Sequence, residues 1–184
     1  MACQGRRPVI VISGQPGSGK STYARRLANE LGLRYYTTGQ AFRELAKRMG
    51  VSLVELNEMA ERDPRIDLEI DRASIEEAKK GCVVIDSHLA AWILGDLADV
   101  LIYVKASLTE RAQRIASRDA VSLSEAMQEA SKRELSHWAR FESYYGVDIR
   151  DLSGFHLVID TTSLSIEKAY NIILTFVKNF LSTS

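Results

Sequence analysis

Residues 14–21, GQPGSGKS, combine the residue types that hold a polyphosphate. Their glycines permit a tight turn in which backbone amides approach phosphate oxygens without obstruction by a Cβ atom. Lys20 is placed to reach the β- and γ-phosphates, and the Ser21 hydroxyl is placed to ligate Mg²⁺. An apolar run precedes the segment and a helical pattern follows it, which is the context that this motif requires. We therefore predict a nucleoside triphosphate site, and we call residues 14–21 the phosphate loop.

Several arginines further along the chain have the spacing needed to surround a phosphoryl group in transit. Three share one face of a predicted helix and two share a face of the next, with the short turn DAVS between them. Guanidinium groups stabilise the charge of a transferring phosphate. The alternative is a solvated surface with ion pairs such as Glu110–Arg114 and Glu129–Arg133. The arginines are Arg111, Arg114, Arg118, Arg133 and Arg140.

A second group of residues is suited to a phosphate acceptor. Arg43 follows a predicted strand closely, and ligands of open α/β sheets bind at the carboxyl ends of strands. A guanidinium there can hold an acceptor phosphate with two hydrogen bonds. Asp67 and Asp71 lie four residues apart, so they share a helix face. They can accept hydrogen bonds from the amino group of a base, or they can belong to a solvated surface.

The run VVIDS, residues 83–87, supplies a single acidic residue, Asp86, at the end of a predicted strand. Asp86 can hold Mg²⁺ through a water molecule, or it can cap the next helix. The chain has neither the NKxD string of guanine-reading GTPases nor the acidic pair with which many ATPases activate water. A phosphotransferase is therefore favoured over these classes.

Short apolar runs alternate with longer helical patterns along the chain. Such runs are typical of a parallel sheet buried on both faces, so we predict a three-layer α/β domain. The predicted strands are 9–13, 33–38, 82–86, 99–105 and 156–160. The predicted helices are 19–31, 40–50, 53–60, 64–79, 108–119, 122–145 and 166–181.

Composition restricts the classes of partner. The 184 residues suffice for one domain, and 24 basic side chains balance 24 acidic ones, which argues against a non-specific nucleic-acid binder. No apolar run approaches the roughly 20 residues that span a bilayer. Cys82 opens an apolar run far from Cys3, so we expect a buried thiol and a cytoplasmic protein. We expect a monomer, with no membrane or nucleic-acid partner.

Four stretches carry a resemblance that covers the chain from about residue 9 to residue 162. They read ISGQPGSGKST, TTGQAFRELAKRMGVSLVELNEMAERDPRIDLEID, ERAQRIASRD and KRELSHWARFESYYGVDIRDLSGFHLVIDT. The sequence resembles the nucleoside monophosphate kinases, and most of all the archaeal-type cytidylate kinases. This resemblance implies transfer of the γ-phosphate of ATP to CMP or dCMP, with Mg²⁺ as cofactor.

The resemblance also implies an architecture. It is a P-loop NTPase fold, with a five-stranded parallel sheet of order 2-3-1-4-5, a helical insertion that binds the monophosphate, and a short lid. Carried onto this chain, the core covers about 8–38, 81–117 and 146–184. The insertion covers about 39–80 and the lid about 118–134.

Functional residues follow from the resemblance position by position. The ATP site comprises Gly14, Gln15, Pro16, Gly17, Ser18, Gly19, Lys20, Ser21, Thr22, Asp160 and Thr161. The acceptor site comprises Gly39, Arg43, Asp67, Asp71 and His88. The catalytic group comprises Lys20, Arg114, Arg118, Arg133 and Arg140, and the metal is held by Ser21 and, through water, by Asp86.

One stretch departs from the family. Where the family usually reads EGRLAGW, this chain reads DSHLAAW, so Ser87 replaces a glycine and His88 replaces an arginine expected at the acceptor. Either His88 still donates a hydrogen bond to the acceptor, or the substrate preference has changed, or His88 is structural. His137 and His156 lack metal-ligand spacing.

Other functions remain open at this stage. The acceptor can be AMP, UMP or a non-nucleotide such as shikimate, because the phosphate loop specifies only the donor. A nucleotide-dependent RNA-processing accessory protein is a further alternative, since such proteins retain a kinase-like core.

Overall fold

The computed structural model describes residues 7–183, in which five strands alternate with eight α-helices. The strands are β1 (Val9–Gly14), β2 (Arg34–Thr37), β3 (Val83–Asp86), β4 (Val100–Lys105) and β5 (Leu157–Asp160). The helices are α1 (Lys20–Leu31), α2 (Thr38–Met49), α3 (Leu53–Ala60), α4 (Pro64–Lys80), α5 (Ala90–Leu94), α6 (Leu108–Asp119), α7 (Leu123–Tyr145) and α8 (Ile166–Thr183).

The sheet is entirely parallel and has the order β2-β3-β1-β4-β5, which confirms the predicted fold class. The chain leaves β1 toward β2 and β3 on one side, and it later returns to the other side with β4 and β5. The carboxyl end of β1 is therefore a switch point, where open α/β sheets bind ligands.

The continuous apolar run of β1 is explained by burial on both faces, since all six of its residues are buried. Ile10 and Ile12 pack with α1 and α8 on one face of the sheet. Val11 packs on the opposite face with the core that includes Ala90 and Leu94 of α5. Alternation of side chains along the strand requires this division.

Two smaller apolar clusters lie outside the sheet layers. One joins α2, α3 and α4 through residues such as Leu45, Leu56 and Ile66. The other joins α6 and α7 through Ile115 and its neighbours. Both α3 and α7 begin with a capping box, in which a serine and a glutamate three residues later satisfy backbone amides.

Every predicted element is present, with ends that differ by at most two residues. The short helix α5 and the 3₁₀ turn Gly95–Leu97 were not predicted, because AAWIL is uniformly apolar and too short to display a helical period. β3 begins one residue late, since Cys82 has a φ of 54°, outside the strand region.

Cys82 also differs from the thiol that the sequence suggested. It is only partly buried, against the core beneath α1 and α8, and it is disulfide-bonded. The chain's other cysteine, Cys3, lies outside the described residues. Between residues 7 and 183, the helices include none that combines the length and apolarity needed to cross a membrane.

Candidate active site

The phosphate loop connects β1 to α1 and depends on two close approaches of its backbone. A Cβ atom on Gly14 would come within 2.1 Å of the Val104 carbonyl oxygen. Gly17 has a φ of 79°, and a Cβ atom there would come within 2.8 Å of the Arg111 carbonyl oxygen. No side chain caps the start of α1 at Gly19. The start of α1 therefore has no side-chain partner for its amides, which is the arrangement that binds an anion at a helix N-terminus.

Arg111 braces this loop from behind rather than facing a ligand. Its guanidinium donates to the carbonyl oxygens of Pro16 and Ala106, both at 3.1 Å, and to Glu134 at 2.8 Å. Glu134 also accepts from the Gln15 side chain at 2.8 Å. Only 3% of Arg111 is exposed. Arg111 therefore does not belong to the predicted arginine face over the site, because its guanidinium is bound to two backbone carbonyl oxygens and to Glu134.

Arg114 connects the phosphate loop to the end of β5. Its Nη1 donates to the Ser18 carbonyl oxygen at 2.9 Å and to the Thr161 hydroxyl at 3.1 Å, and its Nη2 donates to the Thr161 carbonyl oxygen at 3.1 Å. Thr161 is buried, whereas Asp160 is exposed and accepts from the backbone and hydroxyl of Thr162. These residues form one edge of the loop and do not line the large cavity described next.

A cavity of about 680 Å³ opens from the phosphate loop toward the helices α2 to α4, and we call it the cleft. It is bounded on the opposite side by α7. Most of the predicted catalytic, acceptor and metal residues line it. These are Lys20, Ser21, Gly39, Arg43, Asp67, Asp71, Asp86, His88, Arg118, Arg133 and Arg140.

Lys20 and His88 form a hydrogen-bonded pair at the loop end of the cleft. Lys20 Nζ lies 3.2 Å from His88 Nε2, and His88 Nδ1 lies 2.8 Å from the Gly14 carbonyl oxygen. Desolvation, reinforced by Lys20 and His137, holds the pKa of His88 well below its usual range. A neutral imidazole has one N–H, and a carbonyl can only accept. His88 therefore donates through Nδ1 and accepts from Lys20 through Nε2.

Burial also alters Lys20 itself. Desolvation lowers the pKa of the Lys20 ammonium to about 8, with Arg133 and Arg118 acting in the same direction and Asp86 opposing them. Several cations thus converge on one small region. Such convergence is unfavourable in the free protein and favourable once an anion is present.

Asp86 presents an unpaired oxygen to this region. Its Oδ2 accepts from the Tyr35 hydroxyl at 2.9 Å, whereas its buried Oδ1 has no hydrogen-bond partner within residues 7–183. The amides that lead into α5, at Leu89 and Ala90, are capped by the Ser87 hydroxyl. Asp86 was considered either for holding Mg²⁺ through a water molecule or for capping the next helix. Ser87, and not Asp86, accepts from the amides at the start of that helix. The described part of the chain contains no cluster of three or more His, Cys, Asp or Glu side chains suited to a metal.

The far end of the cleft is a buried polar pocket. Asp67 and Asp71 are each 8% exposed, so the alternative of a solvated helix face is wrong. Arg140 Nε lies 3.3 Å from Asp67 Oδ2, and the Tyr145 hydroxyl donates to Asp71. Arg140 Nη1 is buried without a hydrogen-bond partner in the described residues. Arg140 is therefore located with the aspartates, away from Lys20.

Desolvation dominates the electrostatics of this pocket. It raises the pKa of Asp71 to about 6, with Tyr145 opposing it and Asp67 reinforcing it. It also raises the pKa of Asp67, with Arg140 opposing the shift. Carboxylates that are hard to ionise and have few hydrogen-bond donors around them are suited to a ligand that supplies such donors.

The remaining predicted arginines that line the cleft are Arg43, Arg118 and Arg133. Arg118 is paired with Asp119 at 2.6 Å, and Arg133 Nη1 lies 3.4 Å from Glu129. The Glu110–Arg114 pair is also formed, at 3.1 Å. The two ion pairs expected for a solvated surface, Glu110–Arg114 and Glu129–Arg133, are therefore both present. Arg133 nevertheless lines the cleft. Arg43 lies on α2 and is exposed where it lines the cleft.

Aromatic residues form a column along α7 that the sequence analysis missed. The rings of His88 and His137 are 4.6 Å apart, those of His137 and Phe141 are 5.5 Å apart, and those of Phe141 and Tyr145 are 6.3 Å apart. The column runs from the Lys20 partner to the Asp71 partner. Its signal in the sequence was the spacing of four residues between His137, Phe141 and Tyr145, which places them on one helix face.

A parallel sheet of this order, with a lysine-bearing glycine loop at its switch point, defines the P-loop kinase fold. A shikimate kinase from Acinetobacter baumannii, solved in complex with shikimate, has the same fold with a TM-score of 0.61 and 16% identity, covering 94% of this chain and 93% of its own. An uncharacterized protein from Eubacterium ventriosum superposes with a TM-score of 0.73 at 18% identity, covering 93% of this chain and 98% of its own.

The chain belongs to the cytidylate kinase-like family, whose sequence profile matches residues 9–163. The cytidylate kinase of Aeropyrum pernix is 55% identical over 89% of this chain and 95% of its own length. That of Staphylothermus marinus is 54% identical over 94% of this chain and 98% of its own length. The resemblance predicted from the sequence motifs is thereby confirmed.

Proposed function

We propose that this protein transfers the γ-phosphate of ATP to CMP or dCMP, giving ADP and CDP or dCDP. The observation that gives this the most support is the cleft. It has phosphate-binding groups at one end and, at the other, a buried polar pocket in which several atoms of Asp67 and Arg140 have no hydrogen-bond partner in the described residues. Relatives at about half identity are cytidylate kinases. The family membership supports ATP-dependent phosphotransfer. The arrangement of residues in the cleft supports the choice of a cytosine nucleotide as acceptor.

The donor site in this proposal is built by the phosphate loop and its neighbours. Backbone amides of Gly17 and Gly19 and the start of α1 bind the phosphates, and Thr22 extends this surface. Lys20 supplies the mobile positive charge. Arg114 ties the loop to Thr161 through its bonds to both. The adenine then lies near Asp160 and Thr161, at the end of β5.

Mg²⁺ fits the residues beside the loop. The Ser21 hydroxyl at the first turn of α1 is an exposed oxygen ligand, and the unpaired Asp86 Oδ1 can accept from a metal-bound water. When bound, the ion neutralises charge on the phosphate oxygens. Tyr35 holds the other Asp86 oxygen, so the carboxylate orientation is set by the protein.

The acceptor base fits the pocket of Asp67, Asp71 and Arg140 by its hydrogen-bonding pattern. Cytosine offers an amino group beside a ring nitrogen and a carbonyl oxygen. A carboxylate accepts from the amino group, and the unpaired Arg140 Nη1 donates to the acceptor atoms. Uracil replaces that amino group with a carbonyl, which would leave a buried carboxylate facing an acceptor at substantial cost. Arg43, near Gly39, binds the acceptor phosphate.

Phosphoryl transfer then requires alignment and charge stabilisation, with no protein base, because the acceptor phosphate is already ionised. Lys20, Arg118 and Arg133 surround the group in transit. We propose that residues 39–80 close on the acceptor and residues 118–134 close on the donor. Closure excludes the water that would otherwise compete as acceptor. We place this enzyme in the cytoplasm, where its charged substrates occur, and expect one chain to form the whole site.

A coupled assay of ADP release with a panel of acceptors tests the proposal. CMP and dCMP should give the highest kcat/KM, ahead of UMP, AMP and shikimate. Faster turnover with any of the last three would contradict the assigned acceptor. ATP binding with no turnover on any of them would contradict the kinase function as a whole.

A further inference from the structure

His88 uses both ring nitrogens on the phosphate loop rather than offering them to the cleft. Nδ1 contacts the Gly14 carbonyl oxygen at 2.8 Å, and Nε2 contacts Lys20 Nζ at 3.2 Å. Gly14 is the residue where β1 enters the loop, and Lys20 is the residue where α1 begins. One imidazole therefore bridges the two ends of the loop.

The imidazole is itself held in place. Its neighbours Ser87 and Leu89 are each 3% exposed, and the Ser87 hydroxyl accepts from the backbone amide of Leu89. The His137 ring lies 4.6 Å away, and His137 stacks on Phe141 at 5.5 Å with 16° between the ring planes. The ring is thus anchored by its own backbone, by the loop and by α7.

Lys20 needs such a partner because its charge sits on a long flexible chain. An ammonium on this stem loses much freedom when it is held at one point. It carries three N–H donors, so one bond to His88 leaves donors for phosphate oxygens. A neutral imidazole acceptor can orient the ammonium without cancelling its charge, which a carboxylate in the same position would do.

We propose that His88 is a positioning residue for Lys20, holding the lysine ammonium at the place where it meets the phosphates of the donor. The proposal rests on the proposed kinase function and specifies how this chain organises that site. It also assigns to His88 a role on the donor side of the cleft, where the family resemblance suggested contact with the acceptor. The acceptor pocket of Asp67, Asp71 and Arg140 remains separate from it.

Two substitutions separate hydrogen bonding from packing at this position. His88→Phe keeps a ring of similar shape beside His137 but cannot accept from Lys20. His88→Gln keeps a side-chain oxygen that can accept. We expect His88→Phe to lower kcat roughly 10- to 100-fold, the range typical for partners that orient metal ligands. His88→Gln should recover most of that loss, and KM for CMP should change little in either variant.

A double-mutant cycle with Lys20→Met tests whether the effect passes through the lysine. In the Lys20→Met background, His88→Phe should cause no further loss of kcat or of ATP affinity measured by calorimetry. His156→Gln, which alters a histidine outside the cleft, serves as the control and should retain wild-type kcat and ATP affinity. Thermal unfolding of each variant reports whether the fold is retained.

Three outcomes would overturn the proposal. They are wild-type kcat in His88→Phe, a full additional loss in the Lys20→Met background, and a rise in KM for CMP without a change in kcat. Calorimetry keeps this test distinct from that of the proposed function. If the wild-type enzyme phosphorylated none of the acceptors, a weaker ATP affinity in His88→Phe than in His88→Gln would still support the lysine contact, and equal affinities would refute it.

Discussion

At the scale of single residues, the cleft buries charged side chains near others of the same charge. Burial shifts the pKa of both Lys20 and Asp71 against their charged forms, and like charges act in the same direction, Arg133 and Arg118 on Lys20 and Asp67 on Asp71. Each arrangement is electrostatically unfavourable in the free protein. In the proposed complex, the donor phosphates would relieve the first and the amino group of the acceptor base would relieve the second, which would concentrate binding energy at the two ends of the cleft.

The charge cluster gives the first prediction. Lys20→Ala and Arg133→Ala should each lower kcat by about 10²–10³, because each removes a donor aimed at the charge of the transferring group. Circular dichroism should show an unchanged fold. Arg65→Ala, which removes an exposed arginine paired with Asp63, should retain wild-type kcat. Near wild-type turnover in either cleft variant would contradict the role assigned to that residue.

Asp71 gives the second prediction, through the pH dependence of stability. Its pKa is raised to about 6 in the folded protein, above the usual value near 4. The folded state therefore binds this proton more tightly than the unfolded state. Its contribution to stability is present below about pH 4 and is lost as the pH rises through about 6, an effect of at most about 3 kcal/mol.

Urea unfolding from about pH 4 to pH 8 measures this effect. Relative to wild type, Asp71→Asn should remove the part of the free energy of unfolding that declines between about pH 4 and pH 6, while the opposite contribution of the buried His88 and His137, whose pKa values are lowered, remains. Asp148→Asn is the control, because Arg150 lowers the pKa of Asp148 and the loss of Asp148 should leave that declining part intact. An unchanged slope in Asp71→Asn would show that Asp71 is not the group responsible.

At the scale of elements, α6 and α7 hold the phosphate loop through one set of side chains and line the cleft with arginines through another. Arg111 of α6 and Glu134 of α7 are joined at 2.8 Å, and together they hold Pro16 and Gln15. On the cleft side, α7 carries Arg133, Arg140 and three members of the aromatic column, His137, Phe141 and Tyr145. A single rotation of α7 would therefore move groups at both ends of the cleft.

The loop support gives the third prediction. Glu134→Gln removes the charge that holds Arg111 and Gln15, and it should cost roughly 1–3 kcal/mol of stability. It should also raise KM for ATP, because the loop backbone loses its anchor. Lys132→Gln, at an exposed position on α7, should change stability by less than about 0.5 kcal/mol. Equal effects of the two substitutions on the urea midpoint and on KM would contradict the bracing role.

At the scale of the whole molecule, the parallel sheet gathers the ends of β1, β2, β3 and β4 at one edge. The helices α2 to α4, and the α6–α7 pair, each have an apolar cluster apart from the sheet core. Units with their own clusters can move as bodies on short connections. For residues 39–80 this supports the proposed closure over the substrates, whereas residues 118–134 lie at the end of a helix pair that Arg111 and Arg114 bind to the phosphate loop.

Closure gives the fourth prediction. A non-hydrolysable ATP analogue together with CMP should slow amide hydrogen exchange in residues 39–80 and 118–134, beyond the protection that each ligand gives alone. The ATP analogue alone should protect residues 14–22, which serves as the internal control. Protection confined to residues 14–22 with both ligands present would contradict closure.

The sequence by itself determined the sheet, the alternation of strands and helices, and the phosphate loop, because these depend on local patterns. Apolar runs specify buried strands, and the glycine spacing of residues 14–21 specifies a phosphate-binding turn. Only the tertiary structure decided where each arginine points: Arg111 lies behind the loop, Arg114 beside it, and Arg140 with the aspartates.

The tertiary structure also decided the environment of His88, the burial of Asp67 and Asp71, and the presence of α5. The physical reason is that helical spacing specifies which residues share a face but not what that face contacts. His88 and Lys20 are 68 residues apart in sequence, and Asp71 and Tyr145 are 74 apart. Contacts at such separations arise from packing, which no local pattern records.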